Sequence, residues 1–96
     1  MKAIIVEEFG EANVLKLRET SNLNPGEGEV LIRTEAVGVN PVETYIRNGT
    51  HALKPDLPYT PGSDASGTVD AVGTGVNDLS IGERVYTAGT ISGAYA

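Results

Sequence analysis

The chain has 96 residues, of which 40% are apolar, and it carries no cysteine and a formal net charge of −6. This length fits one small domain and leaves no room for an added nucleotide-binding sheet, because a single βαβ unit takes about 30 residues. The lack of cysteine excludes disulfides, thiolate metal sites and cysteine nucleophiles within this chain. The negative charge disfavours nucleic acid as a partner, because it repels phosphate groups.

No apolar run approaches the length of a membrane span, about 20 residues, and the N-terminus lacks the long apolar stretch of a signal peptide. We therefore expect a soluble, cytoplasmic protein without membrane contact. The 12 glycines follow no period. They are typical of an all-β chain with many tight turns.

Three short strands are predicted in the first part of the chain, where β-branched or alternating residues are grouped. They cover residues 2–8, 14–18 and 29–39. In the second strand, Leu15 and Leu17 alternate with basic residues. This alternation predicts a half-buried strand with the leucines on its covered side.

One helix is predicted, over residues 41–48. Asn40 is a favoured N-cap residue, a proline occupies the first helical position, and Glu43 follows the cap by three residues in a capping-box pattern. Glu43 and Arg47 also have the spacing of a stabilising ion pair along a helix. Gly49 provides the stop signal.

The second half of the chain is predicted to begin with an irregular stretch, residues 50–61, that contains three prolines. Strands are then predicted over residues 67–72 and 81–86, with a turn at 73–75 between them. Five or six short strands with one short helix indicate a mainly β fold, a small and partly open barrel.

Four polar residues around the helix are candidates for chemistry, and each also has an ordinary structural interpretation. Asn40 and Tyr45 carry neutral hydrogen-bond donors that suit a carbonyl gaining negative charge. Asn40 is equally a helix cap, and Tyr45 is equally a half-buried aromatic residue. His51 is a surface residue or a base, and Asp64 is a turn acceptor or a buried carboxylate that orders its loop.

Four sequence blocks, in their order along the chain, resemble the corresponding blocks of a known family. The blocks are residues 38–49, 57–67, 81–86 and 93–96. Together they look like the quinone oxidoreductases, the zeta-crystallin-like branch of the medium-chain dehydrogenase/reductase superfamily. The resemblance extends over essentially the whole chain, in order and with the family's spacing.

The resemblance implies a GroES-like, partly open β-barrel with one or two short helices. It makes residues 1–96 the N-terminal part of a catalytic domain, which in this family is followed by a Rossmann domain that binds NADPH. That Rossmann domain is not within these 96 residues. We therefore expect a piece of an NADPH-dependent quinone reductase that is inactive alone and whose intact form is a homo-oligomer.

The resemblance also implies an enzyme without zinc. The zinc-dependent alcohol dehydrogenases of the same superfamily carry a cysteine ligand where this chain has Asn40, and a His-Glu pair where it has Ser63 and Asp64. Amide and hydroxyl groups are poor zinc ligands. The expected substrate is a quinone or another electron-poor carbonyl compound, because such a compound accepts hydride readily without a metal.

The family's site residues can be placed on matching positions of this chain. Tyr45 and Asn40 would be catalytic, Asn40 and Pro41 would bind the cofactor, and Tyr45 and His51 would bind the substrate. Many relatives have a second tyrosine at the position of His51, so the substrate contact of this histidine stays open.

Two other functions stay open as well. The first is a stand-alone GroES-like module that binds or scaffolds without catalysis, and the second is a zinc-using dehydrogenase.

Overall fold

The computed structural model describes residues 1–52 and 54–96, so position 53 of the predicted irregular stretch lies outside the described residues. The described part contains five strands, a single 3₁₀ turn and one α-helix. In chain order they are β1 (Lys2–Ile5), the 3₁₀ turn (Ala12–Val14), β2 (Lys16–Glu19), β3 (Val30–Val37), α1 (Pro41–Asn48), β4 (Ala65–Val72) and β5 (Arg84–Tyr86).

The strands form two separate antiparallel sheets. One is the two-stranded ribbon β1-β2, and the other has the order β3-β4-β5 with β4 in the centre. The register between β3 and β4 shifts twice, and such bulges bend a strand and increase its twist. Neither sheet closes on itself within the described ranges. The predicted class, mainly β with one or two short helices, is confirmed.

The core is small and consists of alanine and valine side chains. Val6 and Val69 are the largest side chains in the described part that are almost completely buried. Val6 also connects the end of β1 to the loop between α1 and β4, since its backbone exchanges hydrogen bonds of 2.9 and 3.0 Å with that of Tyr59. The buried apolar residues are Ala3, Val6, Val14, Ala65, Val69 and Ala94.

The last four residues connect the two halves of the fold. The Ile4 N–H donates to the Tyr95 carbonyl at 2.8 Å, and the Tyr95 N–H donates to the Pro61 carbonyl at 3.0 Å. The segment 93–96 thereby ties the β1-β2 ribbon to the loop before β4. This position brings the Tyr95 side chain next to the helix.

Each predicted strand has at least one boundary that is wrong by one to three residues. The strand β2 begins at Lys16, two residues later than predicted, because Ala12–Val14 form the 3₁₀ turn, and β3 ends at Val37, two residues earlier than predicted.

The first strand ends at Ile5 because the next residue pairs with Tyr59 from outside the ribbon. The strand β4 begins two residues earlier than predicted, at Ala65, because β3 supplies it with partners there. The strand β5 begins later, at Arg84, because Gly82 has a left-handed φ of +94° and turns the chain.

The second predicted strand exists, but its burial was predicted wrongly. Leu17 is 61% exposed, and all four residues of β2 are exposed. A two-stranded ribbon has too few neighbours to cover both faces, and periodicity does not say whether a face is covered. Leu17 instead contributes to a shallow apolar patch together with Val37 and Val39.

Candidate functional site

The start of α1 is fixed by local hydrogen bonds, as the sequence predicts. Asn40 is the N-cap residue with extended φ and ψ of −116° and 149°. Its backbone N–H donates to the Glu43 carboxylate at 2.9 Å, and its carbonyl accepts from the Glu43 N–H at 3.0 Å. Gly49 ends the helix with a left-handed φ of +82°. The predicted helix and its capping box are confirmed, so the helix holds its side chains in fixed places.

The Asn40 side chain has a second support from the loop before β4. Its Nδ2 donates to the Asp64 carboxylate Oδ2 at 2.8 Å. Asp64 is exposed, and its own carbonyl accepts from the Gly38 N–H at 2.8 Å. The interpretation of Asp64 as a buried carboxylate is therefore wrong. Because an ionised carboxylate only accepts hydrogen bonds, Asp64 orients the Asn40 amide with its nitrogen toward the loop.

Pro41 and Tyr45 lie on one face of α1, since they are four residues apart. Both are exposed, and 52% of Tyr45 is accessible, which agrees with the interpretation of a half-buried aromatic residue. The Tyr45 carbonyl accepts from the Thr50 and His51 N–H groups at 3.1 and 3.2 Å. The structure thus brings the backbone of His51 to the end of the helix that carries Tyr45.

The predicted ion pair within the helix is not formed, because its two members have other partners. Arg47 Nε donates to the Gly10 carbonyl at 3.2 Å. Glu43 is only 7% exposed, and its Oε2 accepts from the Tyr95 hydroxyl at 2.5 Å as well as from Asn40. Glu43 therefore joins the cap of the helix to the last residues of the chain.

No sequence pattern indicates the contact between Glu43 and Tyr95, which are 52 residues apart. Burial, followed by the hydrogen bond and the charge of Glu43, raises the pKa of Tyr95 to about 12. The capping-box pattern predicts the local role of Glu43, but no local pattern predicts its distant partner.

Another face of α1 borders a groove of about 630 Å³. Val42, Glu43 and Ile46 form the helix side of this groove, and the loop containing Tyr59 forms the opposite side. Burial raises the pKa of Tyr59, and the nearby positive charge of Arg47 opposes that shift in part. The groove and the face of Pro41 and Tyr45 are thus different surfaces of one helix.

In residues 1–52 and 54–96, no three His, Asp or Glu side chains come together in a way that could hold a metal ion. No helix in the same ranges has the length and apolar character to cross a membrane.

Comparisons with known proteins agree with the resemblance seen in the sequence. The chain is 54% identical over 97 residues to the quinone oxidoreductase of Homo sapiens, covering 100% of this chain and 30% of the human protein. The Escherichia coli quinone oxidoreductase, solved in complex with NADPH, superposes with a TM-score of 0.93 at 35% identity, covering 100% of this chain and 29% of that one. A mycobacterial protein complexed with NADPH has a TM-score of 0.92 at 44% identity and the same full coverage of this chain.

These relatives are much longer than the chain, which spans about 30% of the human protein's length. The sequence profile of the alcohol dehydrogenase GroES-like domain matches residues 26–95. The match covers most of the chain, including helix α1 and the larger sheet. The chain therefore belongs to the alcohol dehydrogenase GroES-like domain family and is similar to quinone oxidoreductases.

Proposed function

We propose that this chain is the N-terminal part of the catalytic domain of an NADPH-dependent, zinc-free quinone reductase. The observation that carries the proposal is the exposed side of α1. There the Tyr45 hydroxyl and the Asn40 amide are held by a helix that is capped at both ends. The proposal is supported by relatives that are quinone oxidoreductases, among them a structure with NADPH. On this proposal the 96 residues carry half of an active site and do not turn over alone.

The residues of this face suit a nicotinamide cofactor. NADPH supplies the hydride when it is bound. Pro41 and the Tyr45 ring offer an exposed apolar surface beside the amide of Asn40. The amide nitrogen has two N–H groups, and Asp64 takes one of them, so the other is available for a carbonyl oxygen of a ligand.

The Tyr45 hydroxyl is assigned to the substrate. When a quinone accepts hydride, negative charge develops on its oxygen, and a positioned neutral donor stabilises that charge. A quinone is already electron-poor, so orientation and hydrogen bonding suffice without a Lewis acid. His51 is assigned a second contact with the same substrate, because its backbone is bonded to that of Tyr45.

The zinc-free part of the proposal rests on the chemistry of the side chains. The positions that match zinc ligands of alcohol dehydrogenases hold Asn40 and Ser63, and the chain has no cysteine. Elemental analysis of the purified chain is expected to find no stoichiometric zinc. One zinc ion per chain would contradict this part and favour the dehydrogenase alternative.

Replacing Tyr45 by phenylalanine tests the assigned hydroxyl in an enzyme that can turn over. We would insert residues 1–96 in place of the matching segment of the human quinone oxidoreductase and compare this chimera with its Y45F variant. The loss of one transition-state donor is expected to lower kcat for 1,4-naphthoquinone by about 10-fold or more, with NADPH affinity nearly unchanged.

The matched control is Tyr86→Phe, since Tyr86 is 84% exposed on β5 and lies outside the assigned site. Its kcat should equal that of the chimera. If Y45F keeps full activity with several quinones, Tyr45 has no part in the mechanism. Asn40→Ala is a poorer test, because it also removes a helix cap that contributes about 1 kcal/mol.

The second candidate function is a stand-alone GroES-like module, and the match of residues 26–95 to the alcohol dehydrogenase GroES-like domain favours it. Titration of the 96-residue chain with NADPH separates the two candidates. We expect no binding in the micromolar range. Micromolar binding would contradict the view that these residues hold only half of a cofactor site.

A further inference from the structure

The Asn40 amide is held by a residue that carries no role in the proposed reaction. Its Nδ2 donates to the Asp64 carboxylate at 2.8 Å, and the Asp64 side chain is exposed. An exposed carboxylate keeps another side chain in a fixed orientation only if its own position is fixed by further contacts. The backbone on both sides of Asp64 has such contacts.

Thr87, the first residue after β5, bonds to both neighbours of Asp64. Its hydroxyl accepts from the Ala65 N–H at 3.0 Å and donates to the Ser63 carbonyl at 2.9 Å. Its own N–H donates to the Ala65 carbonyl at 2.8 Å. One threonine therefore fixes the backbone before and after Asp64.

Gly38 supports Asp64 from the end of β3. The Gly38 N–H donates to the Asp64 carbonyl at 2.8 Å. A Cβ added at Gly38 would lie 3.1 Å from the Asp64 Cβ and 3.7 Å from Asn40 Nδ2. The absence of a side chain at position 38 thus leaves room for the hydrogen bond between Asp64 and Asn40.

The orientation of the amide decides which group Asn40 offers to a ligand. An asparagine amide carries two N–H donors on its nitrogen and an acceptor on its oxygen, and it can turn over when nothing holds it. The ionised carboxylate of Asp64 only accepts hydrogen bonds, so it favours the orientation with Nδ2 toward residue 64. In that orientation, the second N–H of Nδ2 keeps a constant direction.

We propose that Asp64 and Thr87 are positioning residues for the Asn40 amide. Thr87 fixes the loop on both sides of Asp64, and Asp64 fixes the donor that Asn40 offers to the cofactor. Neither residue is assigned a contact with cofactor or substrate. Only the step from Asn40 to the cofactor rests on the proposed function, whereas the positioning of the amide does not.

The first test follows the side-chain amide resonances of Asn40 in the ¹⁵N-labelled 96-residue chain. Asp64→Ala removes the acceptor and should shift both Nδ2 proton resonances of Asn40. Thr87→Val removes the hydroxyl and should shift them in the same direction, although Thr87 bonds to Asn40 only through the loop. Thr87→Ser keeps the hydroxyl and should restore the parent resonances. Asp78→Ala removes an exposed carboxylate beyond the far end of β4 and should leave them unchanged.

Thr87→Val is expected to fold, because it removes only the hydroxyl. The Thr87 N–H keeps its bond to the Ala65 carbonyl, and the Ser63 carbonyl still accepts from the Gly89 N–H at 3.0 Å. Unchanged backbone resonances in the β1-β2 ribbon provide the check on folding. Asp64→Ala gives the same test at an exposed side chain, independently of this check.

The second test measures NADPH binding by the chimera with the human quinone oxidoreductase. Loss of one positioned hydrogen bond in Asp64→Ala should raise the Kd for NADPH about 3- to 10-fold, and Thr87→Val should raise it as well. Thr87→Ser and Asp78→Ala should stay within about twofold of the chimera. At saturating NADPH, kcat should change by less than about twofold, because a contact made equally before and in the transition state affects binding alone.

Two results would overturn the proposal. The first is unchanged Asn40 side-chain resonances in Asp64→Ala or in folded Thr87→Val. The second is an unchanged Kd for NADPH in both variants of the chimera although those resonances have shifted. A parent chimera that does not bind NADPH contradicts the proposed function instead, and the resonances then decide by themselves whether Asp64 and Thr87 position the amide.

Discussion

Gly93→Ala is expected to lower the free energy of unfolding by about 3 kcal/mol or more, through two effects at one position. Gly93 has a φ of +93°, which L side chains rarely adopt. A Cβ at this residue would also lie 2.0 Å from the carbonyl oxygen of Thr60. Since backbone atoms cannot move aside cheaply, the segment 93–96 would have to leave the loop before β4.

Gly75→Ala is the matched control for this substitution. Gly75 has a similar φ of +87°, and no atom lies within 4 Å of the position of its added Cβ. The control should therefore cost only the conformational strain, about 1–2 kcal/mol. Urea unfolding of both variants measures the difference. Equal losses would contradict the close approach of Gly93 to Thr60.

Tyr95→Phe is the second substitution that we expect to lower the free energy of unfolding strongly, because it removes a hydrogen bond to a buried carboxylate. Bonds to charged groups contribute about 1.5–3 kcal/mol, and we expect a loss of that size at pH 8. Glu43 would keep the Asn40 N–H as its partner, so the helix should still form. The exposed Tyr86→Phe variant is the control and should unfold like the parent chain.

The loss on Tyr95→Phe should depend on pH with a defined sign. The folded chain raises the pKa of Tyr95 from 10.0 to about 12, through burial first and Glu43 second. The protonated hydroxyl therefore stabilises the fold fully below pH 10, and this contribution is lost as the pH rises from 10 through 12. The difference between parent and variant should be largest at pH 8 and small at pH 12. A constant difference would show that the hydroxyl does not titrate with a raised pKa.

The helix and its cap could be predicted because their causes are local. Asn40, Pro41, Glu43 and Gly49 each act within one turn of the helix, and all four act as predicted. The strands could be predicted in kind and order for the same reason. Their ends could not, because partners distant in the chain decide where pairing stops, as Tyr59 does for the first strand.

The candidate site could be predicted only in part. The resemblance selected Asn40, Pro41, Tyr45 and His51, and the structure places them around one helix, while their roles remain predictions. The carboxylate of Glu43 is bonded to a tyrosine 52 residues later, and no periodicity encodes such a contact. The groove lies between segments that are distant in the chain, and no local pattern predicts that they come together. The exposure of Leu17 depends on a neighbouring layer that a strand pattern does not reveal.

The central claim is that these residues form a working N-terminal part of a quinone reductase. The most direct measurement is NADPH oxidation by the chimera in which residues 1–96 replace the matching segment of the human quinone oxidoreductase. We expect NADPH oxidation that depends on added 1,4-naphthoquinone, needs no zinc and approaches the rate of the human enzyme. A chimera that folds and binds NADPH but does not reduce quinones would contradict the claim.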